Sequence, residues 1–179
     1  MPRRNYFKGE FVLNNSSRIS IIAEGALCAA LSVVLNYLTI FRMPQGGSIN
    51  LELIPLFVYA YRHGWKWGVK VGALVGFLHM MFGGYIVHPV QAILDYPLAC
   101  GVLGFAGIWR KHLISGTILA GIACFSCYVI SGVVFFSNYA PEGTNAFVYS
   151  AIYNSFIFPQ LIINTPVALL VHKKIELRA

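Results

Sequence analysis

The chain has 179 residues, of which 58% are hydrophobic and only 11% are charged, and its formal net charge is +7. Soluble domains carry about 25% charged residues, so this composition excludes an ordinary soluble protein and indicates an integral membrane protein. The basic residues stand between apolar segments rather than on one polar surface. They are therefore expected to set membrane topology, and a nucleic-acid partner is not expected.

Six apolar segments follow a basic N-terminal tail, residues 1–18. Residues 19–179 are therefore predicted to form one all-α domain, an integral membrane bundle of six transmembrane helices. Four of the segments reach or nearly reach the roughly 20 residues that a helix needs to cross a bilayer. The second and third are short, and are either short spans or a re-entrant pair. The approximate segments are 19–41, 51–61, 68–82, 89–109, 113–136 and 147–171.

The basic residues favour six spans. If all six segments cross, twelve of the thirteen Lys and Arg residues share one side with both termini, and only Arg42 lies opposite. If the second and third segments did not cross, Arg62, Lys66 and Lys70 would face the other side, against the positive-inside rule. Both termini are therefore expected in the cytoplasm. The outer links are nearly uncharged and rich in Gly, Pro and Asn, which is typical of turns that can fold over a site.

Small residues at four-residue spacing indicate close helix packing. Ala26 and Ala30 form an AxxxA pair on the first segment, which by itself usually reflects packing within a bundle. Glycines also recur at this spacing along the third segment, at Gly64, Gly68, Gly72 and Gly76.

Several catalytic and metal-binding motifs are absent from the sequence. There is no GxxxxGK[ST] motif, so the chain is not expected to hydrolyse ATP through a P-loop, and there is no HExxH or GxSxG. Neither His79 nor His88 has a metal-ligand partner at helical spacing. No cofactor or metal is expected, and nothing in the sequence favours an enzyme.

Asp95 is the strongest candidate for a functional residue. It lies inside the apolar run HPVQAILDYPLACGVLGFAGIW, where a carboxylate costs about 2.5–3.5 kcal/mol on insertion scales. Gln91 lies four residues earlier on the same helical face, and Tyr96 precedes Pro97, which should disturb the helix. We predict that Asp95 binds a ligand and that Gln91 belongs to the same site; for Asp95, an internal hydrogen-bond or ion-pair role is the alternative. Among aromatic residues, an anion suits an organic cation.

The other acidic residues have simpler interpretations. Glu52 begins the second segment, where the helix dipole favours a negative charge, so a structural role is expected. Glu142 lies in an outer link and should be solvated. Glu24 is near the cytoplasmic end of the first segment and should either reach the membrane interface or pair with a nearby basic residue.

An aromatic group follows in the run YAPEGTNAFVYSAIYN, where Tyr149 and Asn154 stand five apart beside Tyr153, and Phe136 closes the preceding segment. Aromatic residues at helix ends are usually interface anchors. Combined with a buried carboxylate, and with Asn available to hydrogen-bond a heteroaromatic ring, they favour a binding pocket.

Three motifs carry a resemblance to a known family. They are GGSINLELIPLFVYAYRHG, GYIVHPVQAILDYPLA and SGVVFFSNYAPEGTNAFVYSAIYN. With them the chain resembles, from residue 20 onward, the thiamine-specific substrate-binding (S) component of energy-coupling-factor vitamin transporters, the ThiT or YuaJ type. The resemblance implies six helices, with thiamine bound near the outer face and no cofactor of the protein's own.

The resemblance also implies roles for individual residues. Asp95 matches the acidic residue that would meet the thiazolium, and Tyr96 follows it as in the family. Tyr85 matches the tyrosine ten residues upstream. Tyr149 and Asn154 match a Tyr-x4-Asn pair that would stack on, and hydrogen-bond to, the aminopyrimidine.

The chain departs from the family pattern at three positions of the expected ligand-binding site. A glutamate often occupies the position of Asp95, a histidine that of Tyr128 and a tryptophan that of Phe136. Asp is one methylene shorter than Glu, and Phe offers a smaller stacking surface than Trp. These differences bear on affinity and on the preference between thiamine and its analogues.

Ala26 and Ala30 match the motif by which S components dock on a shared transmembrane coupling subunit. The predicted protein is therefore the thiamine-binding subunit of an importer in the bacterial cell membrane, energised by that coupling subunit and two partner ATPase subunits. Three alternatives stay open: an S component for riboflavin or biotin, an intramembrane enzyme that uses Asp95 with His79 or His88, and a self-sufficient carrier.

Overall fold

Helices dominate the computed structural model, which describes residues 15–43, 47–109 and 111–177, and this confirms the all-α prediction. In the first link, β1 (Phe41–Arg42) pairs antiparallel with β2 (Ser48–Ile49). Residues 1–14 of the predicted tail lie outside the described part, and the first helix begins within the tail's last residues. The helices are α1 (Asn15–Tyr37), α2 (Leu53–His63), α3 (Trp65–Met81), α4 (Pro89–Ile93), α5 (Ala99–Val102), α6 (Leu113–Phe135), α7 (Ala146–Tyr153) and α8 (Ile157–Glu176).

Four stretches of the described chain are long and apolar enough to cross a membrane. They are Ser17–Tyr37, Pro89–Gly107, Leu113–Phe135 and Ala146–Glu176. The other two predicted segments correspond to α2, with 11 residues, and α3, with 17. At 1.5 Å per residue, α2 is only about 16 Å long, roughly half of a hydrocarbon core of about 30 Å.

The short helix α2 forms the centre of the bundle. It packs against α1, α3 and α8, and eight of its residues are buried. A helix that is apolar on all sides belongs inside a protein rather than at its surface. Two tyrosines fix its position: the Tyr59 hydroxyl donates to the Ile21 carbonyl oxygen at 3.0 Å, and the Tyr61 hydroxyl bonds to that of Thr117 at 2.6 Å.

Glycines bring α3 into backbone contact with the segment that follows it. A Cβ atom at Gly72 would overlap the carbonyl oxygen of Cys100, and one at Gly76 would overlap that of Tyr96. The glycine spacing on α3 therefore predicted close packing correctly. Gly64 does not belong to this stripe, because it forms the turn between α2 and α3 with a φ of 84°.

Two of the predicted segments are interrupted helices. In the fourth, a π-helical turn (Leu94–Leu98) surrounds Pro97, as the proline predicted, and α5 continues into a 3₁₀ turn (Leu103–Gly107). The sixth was predicted as one continuous segment, but a 3₁₀ turn (Asn154–Phe156) separates α7 from α8. At this break the Asn154 amide nitrogen donates to the Ser150 carbonyl oxygen at 2.9 Å, so a side chain competes for the helix's own acceptor.

Glycine at position 76 is expected to be essential for this packing. We expect Gly76→Ala to lower the melting temperature of the detergent-solubilised protein by roughly 3–10 °C, because the added methyl group meets an immovable backbone carbonyl. Gly101→Ala is the control, since its Cβ would have no neighbour closer than 3.7 Å. Equal melting temperatures for the two variants would contradict the backbone contact.

Candidate ligand-binding site

A cavity of about 800 Å³ opens at one end of the bundle, where the N-terminus of α2 meets the ends of α1, α3 and α6. Its position follows from the length of α2, which ends well inside the bundle and leaves space between the longer helices. All eight residues predicted from the sequence to form a ligand site line this cavity. They are Tyr85, Gln91, Asp95, Tyr96, Tyr128, Phe136, Tyr149 and Asn154.

Asp95 stands on the π-helical turn with one carboxylate oxygen held in place. The Gln91 amide nitrogen donates to Oδ2 of Asp95 at 2.6 Å and to the Tyr85 carbonyl oxygen at 3.1 Å, while Gln91 Oε1 accepts from the Val87 N–H at 3.1 Å. Gln91 is only 1% exposed, so it orients Asp95 and the neighbouring link rather than presenting a polar group to a ligand.

No basic side chain pairs with Asp95 in the part of the chain that the structure describes. The ion pairs found there join other carboxylates, and Arg and Lys are missing from the described residues around the cavity. A partly buried carboxylate without a cationic partner is costly. The geometry therefore favours a cationic ligand beside Asp95.

Tyr85 and Tyr96 close one wall of the cavity. The Tyr85 N–H donates to the Tyr96 hydroxyl at 2.6 Å, and that hydroxyl points back to the Tyr85 carbonyl oxygen at 3.4 Å. Tyr85 lies in the link between α3 and α4, where a hydrogen bond with Tyr139 raises the pKa of its phenol. The centroid of the Tyr85 ring lies 6.2 Å from that of Phe136.

Aromatic rings make up much of the remaining wall. Tyr128 and Phe156 lie 5.9 Å apart between ring centroids, and Tyr149 and Tyr153 lie 6.1 Å apart. Such faces attract a cation and stack on a flat ring. The aromatic residues that line the cavity are Tyr37, Phe82, Tyr85, Tyr96, Tyr128, Phe136, Tyr139, Tyr149, Tyr153 and Phe156.

Asn154 has half of its hydrogen-bonding capacity committed within the protein. Its amide nitrogen donates to the carbonyl oxygens of Ser150 and Tyr128, at 2.9 and 3.4 Å. Its Oδ1 accepts no hydrogen bond from the described residues. This oxygen can therefore accept a hydrogen bond from an amino group on a ligand.

A polar network that the sequence analysis missed lies where α2 begins. Gln160 on α8 donates to Asn50 Oδ1 at 2.7 Å and to Glu52 Oε1 at 3.0 Å, and Asn164 donates to the Asn50 carbonyl oxygen at 2.8 Å. The sequence signal that could have revealed this network is the pair of amides, Gln160 and Asn164, which stand four residues apart within the apolar sixth segment. Glu52 stands at the N-terminus of α2, as the sequence predicted, and its side chain also lines the cavity without making a capping hydrogen bond.

The two candidate histidines occupy different places. His79 lines the cavity but faces Glu52, with 3.6 Å between Nε2 and Oε2. His88 instead caps α4, since its Nδ1 accepts from the Val90 N–H at 3.1 Å, and its ring stacks on Phe135. The acid–base pair of Asp95 and a histidine that an enzyme would need is therefore not assembled.

The tryptophans lie away from the cavity. Trp65 and Trp67 are in the first turn of α3, next to the link with α2, and Trp109 follows the 3₁₀ turn at the end of the fourth segment. None of the three lines the cavity. Trp65 and Trp109 are also exposed on the bundle surface, as expected for indole rings that lie at a membrane interface.

Comparison with known proteins identifies relatives along most of the chain. The family described as "Thiamine transporter protein (Thia_YuaJ)" matches residues 22–178. The thiamine transporter ThiT of Bacillus subtilis (strain 168) is 33% identical over 171 residues, covering 84% of this chain and 89% of the relative. ThiT of Lacticaseibacillus paracasei is 32% identical over 162 residues, covering 79% and 81%.

Solved structures share the fold. ThiT from Listeria monocytogenes superposes with a TM-score of 0.78 at 28% sequence identity, covering 90% of this chain and 98% of that one. The S component of a bacterial ECF transporter superposes with a TM-score of 0.62 at 19% identity, covering 89% and 96%. At that lower identity the likeness shows the fold alone.

The hydrogen bond between Tyr85 and Tyr96 is expected to hold the α3–α4 link against the cavity. In Tyr96→Phe the Tyr85 N–H loses its acceptor, and we expect its hydrogen exchange to accelerate roughly 2- to 10-fold. Mass spectrometry of a peptide that covers residues 83–88 measures this. Tyr149→Phe is the control, because the Tyr149 hydroxyl makes no hydrogen bond with the described residues. Unchanged exchange in Tyr96→Phe would contradict the link's attachment.

Proposed function

The chain belongs to the thiamine transporter protein family, and we propose that it is the thiamine-binding S component of an energy-coupling-factor importer in a bacterial cell membrane. The observation that carries the proposal is Asp95, a carboxylate in an aromatic cavity that has no basic partner among the described residues. Thiamine combines a permanent thiazolium cation with a flat aminopyrimidine. The Asp95 carboxylate can pair with this cation, and the aromatic side chains of the cavity can stack on the flat ring.

We assign the cavity residues to the two rings of thiamine. Asp95 neutralises the thiazolium, and Phe136 and Tyr128 supply aromatic faces around it. Tyr149 stacks on the aminopyrimidine, and Asn154 accepts a hydrogen bond from its amino group through Oδ1. Tyr85 and Tyr96 form the wall that the α3–α4 link closes, and Gln91 keeps the carboxylate oriented.

We propose that residues 19–179 form one membrane domain of six spans, with both termini in the cytoplasm. The distribution of basic residues supports this arrangement. We therefore propose that the cavity opens at the outer face, because α2 and α3 meet at the basic turn around Gly64, at the opposite end of the bundle. The shortness of α2 is compatible with six spans, since protein rather than lipid surrounds it.

Uptake against a gradient needs an energy source that this chain does not supply. The family to which it belongs is one of transporters rather than enzymes. We propose that a transmembrane coupling subunit and two ATPase subunits complete the transporter. Release requires a state with weaker affinity for thiamine, which the partners must favour. We assign docking to Ala26 and Ala30, which are exposed on α1.

The alternatives have less support. The relatives are named for thiamine rather than for riboflavin or biotin, and an uncharged or anionic vitamin would make little use of Asp95. An enzyme would need a proton-transfer partner beside Asp95, whereas His79 faces Glu52 and His88 caps α4.

Calorimetric titration of the purified chain in detergent tests the binding proposal. We expect thiamine to bind, riboflavin and biotin not to bind, and Asp95→Asn to weaken thiamine binding by about a hundredfold or more, since removing one partner of a buried ion pair costs roughly 3–5 kcal/mol. Glu142→Gln removes the same charge from an exposed outer link and should bind like the unaltered chain. Thiamine binding that survives in Asp95→Asn would refute the cation site.

Docking and binding should separate experimentally. We expect the double variant Ala26→Leu with Ala30→Leu to bind thiamine normally, because both side chains point away from the cavity, yet to lose ATP-driven uptake in vesicles that contain the partner subunits. Leu27→Ala and Leu31→Ala, which alter neighbouring exposed positions of α1, serve as the comparison. Normal uptake by the double leucine variant would place docking on another surface.

A further inference from the structure

The cavity contains a second carboxylate whose role the assignment above does not explain. Glu52 Oε1 accepts from Gln160, but Oε2 and the facing His79 Nε2 make no hydrogen bond with the described residues, although both atoms are shielded from solvent. The 3.6 Å between them exceeds hydrogen-bond length. Buried polar atoms normally have partners, so this pair marks a place for another polar group.

The two carboxylates of the cavity have different surroundings. Asp95 has the Gln91 amide beside it and no ion pair among the described residues, whereas Glu52 faces an imidazole that can carry a compensating charge. A cation therefore gains more beside Asp95. The Glu52 end suits a neutral group that both donates and accepts a hydrogen bond, which describes a hydroxyl.

The geometry allows one hydroxyl to satisfy both atoms. An oxygen about 2.8 Å from each of two atoms 3.6 Å apart donates its proton to Glu52 Oε2 and accepts from the His79 ring N–H. Both residues line the cavity, and their side chains are 18% and 14% exposed.

We propose that Glu52 and His79 form a second subsite, which binds the free hydroxyl of the ligand and rejects the same position when it carries a phosphate. This deepens the proposed function, on which it rests. A phosphate ester would bring negative charge against Glu52 in a cavity without Lys or Arg among its described residues. Like charges at an interface of low dielectric repel strongly.

Glu52→Gln tests the subsite, because it removes the charge and keeps the shape and the contact with Gln160. Binding of thiamine and of thiamine monophosphate is measured by calorimetry for the unaltered chain, Glu52→Gln and the charge-matched control Glu142→Gln. We expect the preference for thiamine over its monophosphate to fall by about tenfold in Glu52→Gln only. An unchanged preference, or an equal loss for both ligands, overturns the proposal.

An analogue with an ethyl group in place of the hydroxyethyl group tests direct contact. In the unaltered chain we expect it to bind about tenfold more weakly than thiamine, because Glu52 Oε2 then stays unpaired. In His79→Leu, which removes the other half of the subsite, this difference should shrink. An analogue that binds as tightly as thiamine to the unaltered chain overturns the hydroxyl contact.

Failure of the subsite can be told apart from failure of the proposed function. If the unaltered chain binds no thiamine, the proposed function fails and the subsite fails with it. If thiamine binding depends on Asp95, but the protein's preference for thiamine over its monophosphate does not depend on Glu52, only the subsite is wrong. Circular dichroism and melting curves of Glu52→Gln and His79→Leu establish that each variant is folded before binding is compared.

Discussion

The burial of a short helix at the centre of the bundle is the constraint from which the site follows. Because α2 is about 16 Å long, the polar backbone at its N-terminus lies inside the protein, where it must find partners. Asn50 Oδ1 accepts from the Glu52 N–H, and Asn164 donates to the Asn50 carbonyl oxygen. The space that α2 leaves unfilled is the cavity, so one feature produces both the room for a ligand and a polar surface beside it.

The carboxylate Asp95 is positioned by a second departure from regular helix. Pro97 is accommodated in a π-helical turn, and Gly76 allows α3 to press against the backbone of that turn. The turn is therefore supported by a packed helix rather than left exposed, although π-helical turns are intrinsically uncommon. Gln91 then fixes one carboxylate oxygen and ties the α3–α4 link to it.

Much of this could be predicted from the sequence, and the part that could not has a physical cause. Asp95 and its aromatic neighbours could be predicted because a charge in an apolar run is costly. Such a charge can be recognised from the sequence of a single segment. Glu52 and His79 belong to separate segments, and each alone has an ordinary explanation; only their convergence on one cavity reveals a pair. The break at Asn154 was missed because a side chain that competes for helix acceptors leaves no mark on hydropathy.

The position of the tryptophans has an optical consequence. Since Trp65, Trp67 and Trp109 lie outside the cavity and tyrosines line it, indole emission reports on the far end of the bundle and phenol emission on the site. Ligand capture would therefore quench tyrosine fluorescence directly. A change in tryptophan fluorescence would instead signal that the opposite surface had met lipid or another subunit. One protein without any attached dye thus carries separate intrinsic reporters for its two faces.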